Sequence, residues 1–230
     1  MRYGLLVCAS LILSSATAQA GLLAPGEFTA GLYLPPPPDA ATTAREMDEL
    51  RAIAARSTPE VRAVAKKDAE NETPTIFNDA VGFDLAASPQ TFKLLSLVGE
   101  EEEDDAKGAK AYFHRDRPYA AEPSIKTCTP VKPGKAANSY PSGHATRAFS
   151  MGVVLASLMP AKSQEILARA AQYSERRLVC GVHYRSDIVA GQQFGTVLAL
   201  KLMQHPGFQS QTEAARKELR MSHPELTASD

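Results

Sequence analysis

Four features are missing from the sequence or scarce in it, and each argues against a class of protein. No apolar stretch is long enough to cross a membrane as a helix, because Gln192 and Gln193 interrupt the last apolar segment. The formal net charge is only −1 at pH 7, so nothing indicates a nucleic acid or an anionic membrane as partner. Almost no segment alternates apolar and polar residues with a period of two, and no internal repeat is present. Sheet and solenoid architectures are therefore not predicted.

The remaining pattern is helical. Met47, Leu50 and Ile53 recur at helical spacing, and Thr58-Pro59-Glu60 combines an N-cap residue, a first-turn proline and a first-turn acid. A length of 230 residues is enough for one well-buried domain and short for two. We predict an all-α protein, a single helical bundle, with helices starting near 43, 59, 89, 142, 163 and 182.

The first twenty residues have the pattern of an export signal. Arg2 supplies the positive start, Leu5 to Leu13 is a short apolar region, and Ala18-Gln19-Ala20 is a cleavage site. An uncleaved anchor is the alternative, but the apolar region is too short to span a membrane. The sequence predicts a signal peptide over 1–20, a mature protein that is periplasmic or secreted, an irregular proline-rich segment over 21–42, and a helical domain over 43–230.

Removal of the signal peptide would leave two cysteines, Cys128 and Cys180. In an oxidising compartment an even pair is a disulfide candidate. The alternative is that Cys180, in an apolar stretch, is only a small buried hydrophobic residue. The sequence favours the disulfide because of the predicted compartment.

Two further segments differ in their expected roles. The six acids from Glu100 to Asp105 carry no spaced metal-ligand pattern, so a solvated helix face or loop is predicted for them. Residues 118–140 contain several prolines and a glycine and are predicted to form a long loop. Loops of this length in compact domains tend to be functional. We expect this loop, together with 77–85, to shape the part of a site that receives a leaving group.

Three short motifs carry the chemistry. They are Lys110-x6-Arg117-Pro118, Pro141-Ser142-Gly143-His144 and Arg177-x5-His183-x3-Asp187. Fixed cations stabilise the negative charge that a phosphoryl transition state spreads over its oxygens. A Ser-Gly pair at a helix start offers free backbone N–H groups to an anion.

The third motif places a histidine and a carboxylate on one helix face. His183 and Asp187 are four residues apart. A carboxylate bonded to one imidazole nitrogen fixes the tautomer and leaves the other nitrogen free as a nucleophile. Each motif alone has an ordinary structural explanation: capping, surface charge, or a helix-surface pair. Together they supply the groups needed for phosphoryl transfer through a phosphohistidine.

With these motifs the sequence resembles the bacterial class A non-specific acid phosphatases, within the phosphatidic-acid phosphatase type 2 superfamily. That superfamily is marked by K-x6-R-P, P-S-G-H and S-R-x5-H-x3-D. The resemblance covers most of the mature chain, including the Leu-Pro-Pro-Pro-Pro segment from Leu34 to Pro38. One position departs, because Arg176 stands where the family usually has serine. That substitution either removes a supporting hydrogen bond or adds a cation.

The resemblance implies a role for each matching residue. His183 attacks phosphorus, Asp187 orients His183, and His144 protonates the leaving group and then activates water. The residues implied in phosphate binding are Lys110, Arg117, Ser142, Gly143 and Arg177. The resemblance implies no cofactor and no metal.

The resemblance also implies broad specificity for small phosphomonoesters, with transfer to alcohols as a side activity, and assembly into homo-oligomers. Two alternatives remain. One is a vanadate-dependent haloperoxidase, although those proteins are generally much larger. The other is a catalytically silent periplasmic protein that binds phosphoesters, for which His144, His183 and Asp187 would be unnecessary.

Overall fold

The computed structural model describes residues 22–24, 26–131 and 133–227; the predicted signal peptide, 1–20, lies outside them. These residues form helices joined by turns and loops, with no strand among them, so the prediction of an all-α protein is confirmed. None of the helices in the described ranges is both long and apolar enough to span a membrane. The α-helices are α1 Ala30–Tyr33, α2 Ala40–Arg56, α3 Pro59–Glu70, α4 Asn78–Val81, α5 Pro89–Phe113, α6 Pro118–Ala121, α7 Gly143–Leu158, α8 Ser163–Val179, α9 Arg185–Gln204, α10 Pro206–Ser222 and α11 Pro224–Thr227.

Helices α7 and α9 lie against each other at the centre of the bundle. Two glycines of α9 permit the close approach: a Cβ at Gly191 would lie 2.6 Å from the carbonyl oxygen of Ser142, and one at Gly195 would lie 2.2 Å from that of Thr146. Since any side chain there would collide with the α7 backbone, the two glycines bring the starts of α7 and α9 together. The start of α7 carries the second motif, and the third motif leads into α9.

Helices α5, α8 and α10 enclose this central pair with apolar side chains. Leu94 and Leu95 of α5, Met151 of α7 and Phe194 of α9 are almost completely buried in one cluster. Burying one such side chain contributes about 1.5–3 kcal/mol relative to leaving it exposed. The core therefore fixes α5, which carries Lys110, against α7.

Several boundaries differ from the predicted ones for local reasons. Helix α2 begins at Ala40 rather than 43, because the side chain of Asp39 accepts a hydrogen bond from the Thr42 amide at 2.8 Å. Within 21–42 one turn, Ala30–Tyr33, is helical rather than irregular. The proline segment that follows is held by Tyr140, whose hydroxyl donates to the Pro35 carbonyl at 2.9 Å.

The acidic run is helical and partly buried, which corrects the prediction of a solvated face. It lies inside α5, and Glu101 and Glu102 are buried. The carboxylate of Glu101 accepts hydrogen bonds from the backbone amides of Leu22 and Leu23. Glu102 is bonded to Arg147 at 2.9 Å. These distant partners compensate the burial of the two charges.

The sulfur atoms of Cys128 and Cys180 lie 2.19 Å apart, at disulfide distance. This is the predicted pair. The bond joins the long loop to the end of α8, three residues before His183. It therefore fixes the loop beside the third motif.

Candidate active site

The three motifs converge on one cleft of about 480 Å³. Lys110 reaches it from α5, Arg117 from the start of α6, Arg177 from α8, and His144 and His183 from the segments around the starts of α7 and α9. Gly143 also lines the cleft, whereas Ser142 and Asp187 are completely buried behind it. The structure thus brings together all eight residues predicted to bind phosphate or to catalyse.

The start of α7 faces the cleft because of two small residues. The hydroxyl of Ser142 accepts the amide of Ala145 at 3.4 Å and so acts as the N-cap. A Cβ at Gly143 would lie 2.7 Å from Nζ of Lys110, so the glycine leaves the space that the end of the lysine occupies beside the helix start. The amide of Ser142 donates to the Asp187 carbonyl at 3.0 Å. That bond joins the second and third motifs directly.

The arginines of the cleft have polar atoms without protein partners. Nε and Nη1 of Arg177 and Nε of Arg117 are buried, and no described residue accepts a hydrogen bond from them. The two Nη atoms of Arg117 donate to the carbonyls of Val182 and Asn138, each at 3.0 Å. Buried donors are normally satisfied. Unpartnered donors on two guanidinium groups facing one cleft therefore fit an anionic ligand with several oxygens.

Burial lowers the pKa of Lys110 to about 8, and the nearby Arg117 contributes to the lowering. Burial likewise lowers the pKa of Arg177 to about 10. Desolvation disfavours the charged form of both side chains. A bound anion would oppose that effect, so the cleft is electrostatically suited to a multiply charged anion.

Hydrogen bonds assign the tautomer of His183. Nη1 of Arg117 lies 3.3 Å from its Nε2, and Oδ2 of Asp187 lies 3.3 Å from its Nδ1. A guanidinium only donates and a carboxylate only accepts. The proton therefore lies on Nδ1, and Nε2 carries a lone pair. Burial, together with Arg117 and Arg177, holds the pKa of His183 well below 6.5.

Asp187 has closer partners than His183. Its Oδ1 accepts Nη1 of Arg115 at 2.6 Å. Its Oδ2 accepts the Ser139 hydroxyl at 2.6 Å and the Tyr184 amide at 2.8 Å. Burial raises the pKa of Asp187, and these donors oppose that rise. Tyr184 is the N-cap of α9, and its amide is bonded to the side chain of Asp187 in the first turn. The helix therefore begins at Arg185 rather than near Val182.

Sequence reasoning missed Arg115 and Ser139. Arg115 falls within the unspecified x6 spacing of the first motif, and Ser139 lies in the long loop. The one signal for Arg115 in the sequence was its position two residues before Arg117. That position alone cannot tell a buried partner of Asp187 from a surface cation.

His144 lies on the first turn of α7, with its ring stacked on that of Tyr173 at 5.7 Å between centroids. Its Nε2 lies 3.3 Å from the Ala69 carbonyl oxygen and 3.9 Å from Oε1 of Glu72. Burial, with Arg177 and other cations nearby, holds the pKa of His144 well below 6.5. Its surroundings therefore favour the neutral imidazole.

Beyond the cations, two glutamates joined by an arginine form one wall of the cleft. Arg147 donates from Nε to Glu102 at 2.9 Å and lies 3.3 Å from the carboxylate of Glu72. Burial raises the pKa of Glu102 to about 7 even though Arg147 opposes the shift. Sequence reasoning missed this wall, because its three members come from separate segments and match no motif.

The remaining lining comes chiefly from the long loop. Tyr119, Thr129, Pro130, Val131, Lys135 and Asn138 all border the cleft, which agrees with the functional role expected of this loop. The segment 77–85 does not border it, because Phe77, Val81 and Leu85 are buried in the core.

Arg176 points away from the cleft and pairs with Asp68 of α3, as does Arg169. It therefore adds no cation to the site. Within the described ranges, no cluster of three or more histidine, cysteine or acidic residues is arranged to hold a metal ion.

The chain is similar in sequence to known phosphatases. The sequence model of the PAP2 superfamily matches residues 98–209. A non-specific acid phosphatase of Salmonella typhi is 30% identical over 198 residues, which cover 81% of this chain and 78% of the relative. An acid phosphatase of Zymomonas mobilis is 30% identical over 201 residues, with 82% and 74% covered.

Two solved structures share the fold. A crystal structure of Aquifex aeolicus LpxE superposes with a TM-score of 0.54 at 20% identity and covers 67% of this chain and 92% of that one. A transmembrane PAP2 type phosphatidylglycerolphosphate phosphatase from Bacillus subtilis gives a TM-score of 0.57 at 17% identity, with 75% and 88% covered. At these identities the likeness concerns the fold alone.

Proposed function

The chain belongs to the PAP2 superfamily and is a phosphatase. We propose that it hydrolyses small phosphomonoesters under acidic conditions. The proposed reaction passes through a phosphohistidine on His183 and needs no metal. The observation that carries the mechanism is the position of Nε2 of His183. That atom holds a lone pair beside Arg117, in the same cleft as the unpartnered donors of Arg177.

In the proposed first step, the substrate phosphate lies against Lys110, Arg117, Arg177 and the helix start at Gly143. Nε2 of His183 attacks phosphorus in line, and the bond from phosphorus to the ester oxygen breaks. Protonated His144 donates its proton to the departing oxygen. The imidazolium of the phosphohistidine keeps its Nδ1 proton towards Asp187.

In the second step, neutral His144 takes a proton from water as the water oxygen attacks phosphorus. The bond between phosphorus and Nε2 breaks, inorganic phosphate is released, and both histidines return to their starting states. An alcohol in place of water would receive the phosphoryl group instead. That is the proposed side activity as a phosphotransferase.

The two histidines account for an acidic optimum. The lowered pKa of His183 keeps Nε2 unprotonated in mild acid. A bound phosphate dianion raises the pKa of His144, because it adds negative charge beside the ring. Substrate binding therefore favours the protonated acid, while Arg117 beside Nε2 continues to favour the neutral form of His183.

We also propose that the protein is exported to the periplasm or secreted, and that it forms homo-oligomers. Export is supported by the signal-peptide pattern over 1–20 and by the paired Cys128 and Cys180. Assembly is supported by the resemblance to acid phosphatases alone, and the proline segment from Leu34 is the proposed subunit contact.

The test is hydrolysis of p-nitrophenyl phosphate across pH in excess EDTA. We expect turnover with an acidic optimum that His183→Ala abolishes and that His223→Ala, outside the cleft and stacked on Phe83, preserves. Loss of activity in EDTA would contradict metal independence. A folded wild-type protein without turnover would favour a silent phosphoester-binding protein, or a haloperoxidase that loading with vanadate would reveal.

A further inference from the structure

Arg115 is a buried cation directly behind the catalytic pair. Its side chain is 8% exposed, and its Nη1 lies 2.6 Å from Oδ1 of Asp187. The imidazole of His183 lies farther from the same carboxylate, at 3.3 Å. Arg115 does not line the cleft. Its direct contact with the catalytic pair is therefore through Asp187.

A second carboxylate holds Arg115 in place. Glu46 of α2 accepts Nη2 of Arg115 at 3.0 Å, and the guanidinium lies over the ring of Tyr184 at 4.2 Å. Glu46 also accepts the amide and the hydroxyl of Ser186, each at 2.8 Å. The result is a buried row of alternating charge from Glu46 through Arg115 and Asp187 to His183.

Several charged or titratable groups face His183. Lys110 comes from α5, Arg117 from the start of α6, His144 from α7, Arg177 from α8 and Asp187 from α9. Asp187 is the carboxylate among these groups and favours the protonated imidazole. Protonated His183 has no lone pair on Nε2 and cannot attack phosphorus. Compensation of Asp187 by Arg115 weakens this effect of the carboxylate, and so it acts together with burial, Arg117 and Arg177 to keep the ring neutral in acid.

We propose that Arg115, anchored by Glu46, is a positioning residue that sets the acid limit of activity by compensating the charge of Asp187. The inference rests on the proposed function, because an acid limit has meaning only for a His183 nucleophile. The effect of Arg115 on the protonation of His183 can nevertheless be measured without turnover.

Arg115→Gln tests the inference, because glutamine keeps a donor for Asp187 and removes the charge. We expect the buried pair of His183 and Asp187 to take up its first proton about one to two pH units higher than in wild type. The imidazole ¹⁵N shifts of His183 report this titration in the phosphate-free protein. The acid limb of kcat/KM should move upward by the same amount, and Arg115→Lys should restore it.

For Glu46→Gln we expect the His183 titration to shift in the opposite direction. With Glu46 neutral, Arg115 has Asp187 as its remaining carboxylate partner, so proton uptake moves to lower pH. Arg185→Gln is the matched control, since Arg185 pairs with Glu49 of the same helix α2 and with Glu175, without touching Asp187. The control should leave the His183 titration unchanged.

An unmoved His183 titration in Arg115→Gln, or an equal movement in Arg185→Gln, would overturn the inference. An upward shift in Glu46→Gln would also overturn it, and this variant decides the matter if Arg115→Gln does not fold. A folded wild type without turnover, combined with the predicted NMR shifts, would refute the proposed function and leave the electrostatic inference standing.

Discussion

Nη1 of Arg117 lies 3.3 Å from Nε2 of His183. This contact places a permanent cation beside the imidazole nitrogen that has the lone pair. The cation lowers the pKa of the ring and stands where negative charge would develop on a transferring phosphoryl group. The same guanidinium is fixed by the carbonyls of Val182 and Asn138, so only its contact with Nε2 has to be released when that lone pair attacks phosphorus.

The role of His144 as acid makes a prediction about leaving groups. His144→Ala should lower kcat for alkyl phosphates by about 10²- to 10⁴-fold, because an alkoxide leaves poorly without a proton. For p-nitrophenyl phosphate the loss should be much smaller, since nitrophenolate leaves unaided. Steady-state rates on both esters measure the difference. Equal losses would remove the assignment of His144 as acid.

Anion binding should be accompanied by proton uptake near pH 6. In the free cleft, burial and Arg177 hold the pKa of His144 well below 6.5, so the ring is neutral there. A bound dianion raises that pKa, and the ring becomes protonated. Calorimetric titration with sulfate, which does not itself titrate at this pH, in two buffers of different ionisation enthalpy measures the uptake. His144→Ala should abolish most of it, and proton release by the wild type would contradict the account.

We expect Arg177 to lower the free energy of unfolding when no ligand is bound. Its Nε and Nη1 are buried without protein partners, and such groups cost about 1–3 kcal/mol each. We expect Arg177→Met to preserve or raise the free energy of unfolding in urea while abolishing the stabilisation by added phosphate. Arg117→Met is the contrast, because it breaks two hydrogen bonds to backbone carbonyls and the contact with His183, and it should destabilise the protein. Equal destabilisation by both substitutions would show that Arg177 is held as well as Arg117.

The cross-link between Cys128 and Cys180 spans 52 residues of chain. Its removal by the double substitution to serine should lower the free energy of unfolding by about 4 kcal/mol, through the loop entropy restored to the unfolded chain. Urea denaturation of both proteins, with and without reductant, measures this. Reductant should destabilise the wild type and leave the double variant unchanged. A reductant-insensitive wild type would exclude a stabilising bridge.

Local signals predicted the helical fold and the members of the three motifs. The periodicity of Met47, Leu50 and Ile53 and the cap at Thr58 depend on neighbours within a turn or two, so they can be read directly. The spacing of His183 and Asp187 also predicted their contact, although His183 lies before α9 rather than on its first turn.

Pairings between distant segments could not be predicted in this way. Glu46 and Arg115 are 69 residues apart, and their contact depends on how α2 packs beside the start of α9. The burial of Glu102 depends on Arg147, 45 residues later. An acidic run in isolation is indistinguishable from a solvated helix face, which is why that prediction was wrong. The glycines of α9, which bring α7 close, give no such signal until the partner helix is known.

The most direct test of the central claim is to trap the phosphorylated enzyme. Wild-type protein is mixed with ³²P-labelled substrate, quenched in base, where phosphohistidine survives, and digested for peptide mapping. We expect label on the peptide that contains His183, lost when excess unlabelled substrate is added before the quench and absent in His183→Ala. Turnover without label, or label on another residue, would contradict the assignment of His183 as nucleophile.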